Sequence, residues 1–117
     1  MIHLELGTAR IFVRPGATDL RKQINGLVLL VQDEMQTSPF ETALFVFCNA
    51  QRRLLKAVYW DRTGFCLWMK RLEKARFPWP RTADEARREI NVEQLRMMLA
   101  GIDFWRAHEE LKYTEVA

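Results

Sequence analysis

The strongest constraint in this 117-residue chain is a set of three consecutive apolar runs of strand length, joined by turns too short for anything but hairpins. Ala43–Cys48 (Ala-Leu-Phe-Val-Phe-Cys) is continuously apolar, and the polar turn Asn49-Ala50-Gln51-Arg52 separates it from a second run, Arg53 to Asp61. Arg62-Thr63-Gly64 then leads into a third, Phe65 to Glu73. Connections this short join antiparallel neighbours, because a parallel crossover needs a dozen or more residues. Side chains alternate between the two faces of a strand. Leu54, Lys56, Val58 and Trp60 therefore share one side of the second strand, and Arg53, Leu55, Ala57, Tyr59 and Asp61 the other. In the third strand Cys66, Trp68, Lys70 and Leu72 oppose Phe65, Leu67, Met69, Arg71 and Glu73. Neither face is cleanly polar, which predicts helices over one face and further structure over the other.

The flanking segments supply that cover. Arg10–Arg14 is β-branched and aromatic and is stopped by Pro15-Gly16. Thr18 is placed as an N-cap, with Asp19 in the first turn. Leu20, Ile24, Leu27, Val28, Val31 and Met35 then form one helical stripe that ends before Ser38-Pro39. Gly26 weakens that helix by roughly 1 kcal/mol and marks a close approach. Arg76–Pro80 reads as an extended piece whose prolines suit a sheet edge. Glu89-Ile90 briefly continues the sheet, and Asn91 caps a second helix through Val92, Leu95, Met98, Leu99 and Ile102, anchored by Trp105. The expected fold class is α+β, with an antiparallel β-meander packed against two main helices in a single compact domain over residues 1–105. Residues 106–117 read as a polar tail, a frayed helix or disorder. The 49% hydrophobic fraction is enough for one core of this size.

Several function classes find no support in these residues. The N-terminal residues lack the basic start and apolar run of a signal peptide, and the longest apolar stretch, Leu27–Val31, is far too short to span a bilayer. A cytoplasmic protein with no membrane association is expected. Cys48 and Cys66 lie 18 positions apart with no CxxC pattern, which favours two reduced thiols, although neighbouring strands could bring them face to face. Ser38 is the only serine and precedes a proline, while His3 and His108 stand near opposite ends. No nucleophile and base can be paired, no metal-ligand cluster or phosphate-binding glycine loop is present, and neither an enzyme nor a cofactor is expected.

Charge carries more information. Arg52 to Arg81 holds nine basic and two acidic residues, net +7, so the rest of the chain carries −4 against +3 overall. Arginine outnumbers lysine 13 to 5, and its planar guanidinium suits bidentate contact with phosphate or carboxylate. Tyr59, Trp60, Phe65, Trp68, Phe77 and Trp79 are interleaved with these charges. Basic side chains neutralise phosphates and exposed aromatics stack on unpaired bases, whereas aromatics in strands more often belong to the core, which is the expectation for Trp60 and Trp68. The segregation leaves nucleic acid and an acidic protein as the two partner readings.

The strings Leu44-Phe45-Val46-Phe47, Lys56-Ala57-Val58-Tyr59-Trp60-Asp61, Gly64-Phe65-Cys66-Leu67-Trp68, Lys70-Arg71-Leu72-Glu73-Lys74, Arg76-Phe77 and Trp79-Pro80 resemble the TnpB accessory proteins of the insertion-sequence sixty-six family. Gly16 through Lys22, Asn25-Gly26-Leu27, Gln94-Leu95 and Gly101-Ile102-Asp103 extend the likeness over nearly the whole chain, while Cys48–Gln51 is less basic than is usual there. The resemblance implies a bacterial mobile-element protein that assists a separate transposase in DNA transposition, and it brings no catalytic residues with it. It leaves two candidate binding surfaces. Arg52, Arg53, Lys56, Lys70, Arg71, Lys74 and Arg76 are the expected contacts to DNA at the element ends or in a transposition intermediate. Phe65, Trp68, Phe77 and Trp79 are the alternative anchor for the transposase. A third reading gives the charge no partner and lets it keep a homo-oligomer soluble.

Overall fold

A computed structural model describes residues 8–105. The elements are β1 (Arg10–Val13), α1 (Ile24–Asp33), β2 (Ala43–Cys48), β3 (Leu54–Asp61), β4 (Gly64–Arg71), β5 (Arg88–Ile90) and α2 (Val92–Leu99). They build one five-stranded sheet in the order β4-β3-β2-β1-β5. The meander forms as its turns require: Phe45 pairs with Val58 across β2 and β3, and Ala57 with Trp68 across β3 and β4. Arg62 adopts a φ of 52° in the two-residue turn between Asp61 and Gly64, a conformation that tight hairpins demand. The fold is thus α+β, with the expected meander and two helices.

One pairing was not apparent from the turns. β1 lies parallel to β2, with Phe12 opposite Phe45, and α1 provides the crossover between them. β5 closes the other side of β1 antiparallel, with Ile11 opposite Ile90. Every residue of β2 is buried, which explains its unbroken apolar run: it is a central strand covered on both faces.

Strand parity divides the core. Phe12, Phe45, Phe47 and Val58 pack with Leu20, Leu27, Val31 and Met35 on the α1 side. Val13, Val46, Leu55, Ala57 and Tyr59 pack with Phe77, Trp79, Leu95, Met98 and Phe104 on the other. The second face is therefore covered jointly by α2 and the segment around Phe77–Pro80. That segment is not an edge strand: Phe77 to Pro80 are buried without strand pairing, because their rings fill the space that the short α2 leaves open.

The start of α1 is a further correction, whereas the expectation of two unpaired thiols holds. α1 begins at Ile24, behind Gln23, rather than at Thr18. Thr18 is buried, and its amide donates to Cys48 O (2.8 Å) while its hydroxyl accepts from Arg14 Nη1 (2.9 Å), so it ties β1's exit to β2 and caps nothing. Cys48 and Cys66 are both free and cannot meet, since β3 lies between β2 and β4 and Cys48 faces Leu55 whereas Cys66 faces Tyr59. The Asn91 cap is as expected. Gln94 N donates to Asn91 Oδ1 (2.8 Å) and Asn91 N to Gln94 Oε1 (2.9 Å), a reciprocal capping box, although α2 stops at Leu99, short of Ile102. Trp105 does anchor the segment beyond α2, donating from Nε1 to Pro78 O (3.1 Å). The 106–117 tail lies outside the described residues.

Candidate nucleic-acid interface

Parallel strands deliver their following loops to the same end of a sheet, and here the loops after β1 and β2 meet a third segment. Phe77 N donates to Arg52 O (2.7 Å) in the loop after β2, and Trp79 joins the segment to the loop after β1. Its indole Nε1 donates to Arg14 O (3.1 Å) and Gly16 O (2.9 Å), and Gly16 N returns a bond to Pro80 O (2.8 Å). Gly16 holds a φ of 83°, and a Cβ there would stand 3.0 Å from the Ala83 Cβ, so the position demands glycine. The loop after β2 is organised by Asn49: its O accepts from Arg52 N (3.0 Å), and its Oδ1 accepts from Arg53 N (3.0 Å) and Leu54 N (3.2 Å). That turn places Arg52 in the left-handed region at a φ of 59°.

Three contiguous clefts lie where these loops meet. The largest of the three, about 520 Å³, is lined by Ala17, Leu20, Asn49, Ala50, Gln51 and Leu54 among others, together with Asp19 and Arg21. A second, about 300 Å³, shares Ala17, Asn49 and Ala50 and brings in Arg52, Arg76 and Arg81. A third, also about 300 Å³, shares Arg52 and Arg81 and adds Arg88, Asp103 and Trp105. Arg21 donates to Asp19 through Nη2 (2.7 Å) and Nε (3.0 Å), and those bonds pull the Asp19 carboxyl down to about 2. Arg21 is thus neutralised at the first cleft. Arg52, Arg76 and Arg81 enter none of the ion pairs formed among the described residues.

The structure sorts the seven basic residues expected at DNA. Lys56 is corrected: it is 4% exposed, and its ammonium donates to Leu20 O (2.7 Å) and Lys22 O (3.0 Å), a structural clamp with no surface to offer. Lys70 donates to Leu99 O (3.1 Å) at the C-terminal end of α2, where a cation complements the helix dipole. Arg71 pairs with Glu73 (3.1 Å), and Arg53 reaches Glu73 O (3.4 Å). Lys74 and Arg76 are exposed and Arg52 is half-buried. Only Arg52 and Arg76 converge on one cleft, and Arg81 joins them. Sequence reasoning counted Arg81 in the basic segment without assigning it a role; its position one residue after the Trp79-Pro80 pair was the available signal.

The aromatic anchor is corrected in the same way. Phe77 is fully buried and Trp79 is 6% exposed, so both are core residues. Trp68 is half-buried against the α2-side core. Phe65 alone belongs to a partly open aromatic group, with ring centroids 4.9 Å from Trp60 and 5.5 Å from Phe40. Phe40, 59% exposed, was missed. The group stands at the Asp61 end of β3, whereas the clefts stand at its Leu54 end.

Residues 9–109 match the sequence pattern described as IS66 Orf2 like protein. The chain belongs to that family. Two similar proteins of Sinorhizobium fredii (strain NBRC 101917 / NGR234) bear the names uncharacterized protein y4hO and uncharacterized protein y4jC. The first is 36% identical over 107 residues, covering 92% of each chain; the second is 34% identical over 97 residues, covering 83% of this chain and 82% of its own. No solved structure matches. As an IS66 Orf2-like protein the chain is a transposition-associated accessory protein, and the matched span takes in all three clefts and the aromatic group. Among the described residues no helix of this IS66 Orf2-like protein is long and apolar enough to cross a membrane.

Proposed function

We propose that this protein is a non-catalytic cytoplasmic factor that assists transposition by holding DNA along its phosphate backbone on Arg52, Arg76 and Arg81. One observation carries the reading: arginines from two chain segments surround one cleft without carboxylate partners among the described residues, while six other arginines are ion-paired. Folding that leaves three guanidinium groups together in this way accepts their mutual repulsion, which an incoming phosphate relieves. Lys74, two residues before Arg76, and Arg53, next to Arg52, are exposed as well. Binding of labelled duplex and single strands from the element ends tests this. Arg52→Ala, Arg76→Ala and Arg81→Ala should each weaken all sequences alike and flatten the salt dependence by about one unit of log–log slope. Variants that bind like the parent at low salt would remove these residues from the interface.

A second reading rests on the Phe40–Trp60–Phe65 group, which exposes aromatic surface at the far end of the sheet from the arginines. Aromatic anchors dominate protein interfaces, so this group is the docking point for the transposase of the same element. The two surfaces are separate, and one molecule can serve both partners. Phe40→Ala combined with Phe65→Ala should abolish pull-down of the transposase while DNA binding persists; undiminished capture would leave the group without this role.

A further inference from the structure

The largest cleft adjoins the three arginines yet differs from them in chemistry. Ala17, Leu20, Ala50 and Leu54 give it an aliphatic lining, and its only cation, Arg21, is already paired with an ionised Asp19. A phosphate gains little there and meets a negative charge. A flat, uncharged group with hydrogen-bonding edges suits it better. Asn49 spends its Oδ1 on two backbone amides and keeps its side-chain N–H groups as donors, and the exposed Gln51 offers both a donor and an acceptor. The volume, about 520 Å³, falls within the range of small-molecule sites and well exceeds what one base needs.

We infer that this cleft receives an unpaired nucleobase of single-stranded DNA whose adjoining phosphates rest on Arg52, Arg76 and Arg81. The inference rests on the phosphate-binding reading above and adds a strand preference to it. The two clefts share Ala17, Asn49 and Ala50, so a base and its neighbouring phosphate can occupy them together. A base stacked inside a duplex cannot enter a cleft recessed between loops without being extruded at a cost of a few kcal/mol. Single strands, or unpaired ends in a transposition intermediate, meet no such cost.

The test compares fluorescence anisotropy for three probes: a short labelled oligonucleotide, the same oligonucleotide with abasic positions, and its duplex. The parent should bind the intact single strand more tightly than either of the others. Ala50→Leu, which fills the cleft from an exposed position, and Gln51→Ala, which removes an edge contact, should each weaken single-strand binding about five- to tenfold with the salt slope unchanged. Thermal melts of both variants establish that they fold. Equal binding of intact and abasic strands, with both variants at parental affinity, overturns the base site; the phosphate reading survives that result if the arginine variants still lose binding. Arginine variants that bind like the parent overturn both.

Discussion

The ammonium of Lys56 lies 2.7 Å from the carbonyl oxygen of Leu20, 36 residues earlier in the chain. With a second bond to Lys22 O, it fixes the irregular segment before α1 to β3. That segment contributes Leu20 and Arg21 to the 520 Å³ cleft, so a lysine inside the basic segment helps shape that cleft from within the fold.

Lys56→Met keeps the aliphatic stem and leaves Leu20 O without its partner. Stability should fall by about 1–3 kcal/mol, the usual cost of an unsatisfied buried acceptor, as read from urea unfolding. The salt slope of DNA binding should not change. A variant of parental stability would mean that the clamp holds nothing.

Trp79→Phe conserves most of the buried ring and removes the N–H that serves Arg14 O and Gly16 O. A loss of about 1–3 kcal/mol is expected on the same grounds, with capture of the transposase intact in the folded variant. Loss of capture at parental stability would return Trp79 to the partner surface.

Arg52→Gly separates fold from binding. A non-glycine residue in the left-handed region costs about 1–2 kcal/mol, and glycine's greater unfolded-state entropy takes back roughly 0.5–1. The variant should therefore melt close to the parent, within about 1 kcal/mol, while DNA affinity drops as in Arg52→Ala. A strongly destabilised variant would show that the Arg52 side chain holds the turn, giving a structural reason for its position.

These three residues also show where the sequence was legible. Short turns and apolar runs sufficed for β2, β3 and β4, because hairpin pairing is local. The Asn91 cap was equally readable, since both halves of its box lie within four residues. Lys56 was not: parity put it on a face with Leu54 and Val58, but its acceptors come from a segment whose path depends on the parallel β1–β2 crossover. Phe77 and Trp79 misled for a related reason, because the prolines around them signalled an edge while the gap beside α2 drew them inward. The +7 charge of the Arg52–Arg81 segment was plain in the sequence. Which of its charges face outward was decided by long-range partners: Leu20 O for Lys56 and Leu99 O for Lys70.

Burial pushes the Cys48 thiol up to about 12 from an ordinary value near 9. Between those values the unfolded chain has lost a proton that the folded chain keeps, so stability is complete below pH 9 and falls as pH rises toward 12, by about 1.4 kcal/mol per unit. Tyr59, also raised, chiefly by burial, adds to the alkaline loss. Comparing the parent with Cys48→Ala across this window isolates the thiol: the variant should show the shallower decline, and identical slopes would mean that Cys48 ionises freely in the folded protein.

The central claim is that Arg52, Arg76 and Arg81 hold phosphates. Measuring affinity for one single-stranded oligonucleotide over a salt series, for the parent and for the variant with all three arginines changed to Ala, tests it most directly. Each phosphate contact contributes a log–log slope of about 0.7 on single strands, so the variant's slope should be shallower by about 2. Parallel lines for the two proteins would contradict the account and place the DNA elsewhere on the molecule.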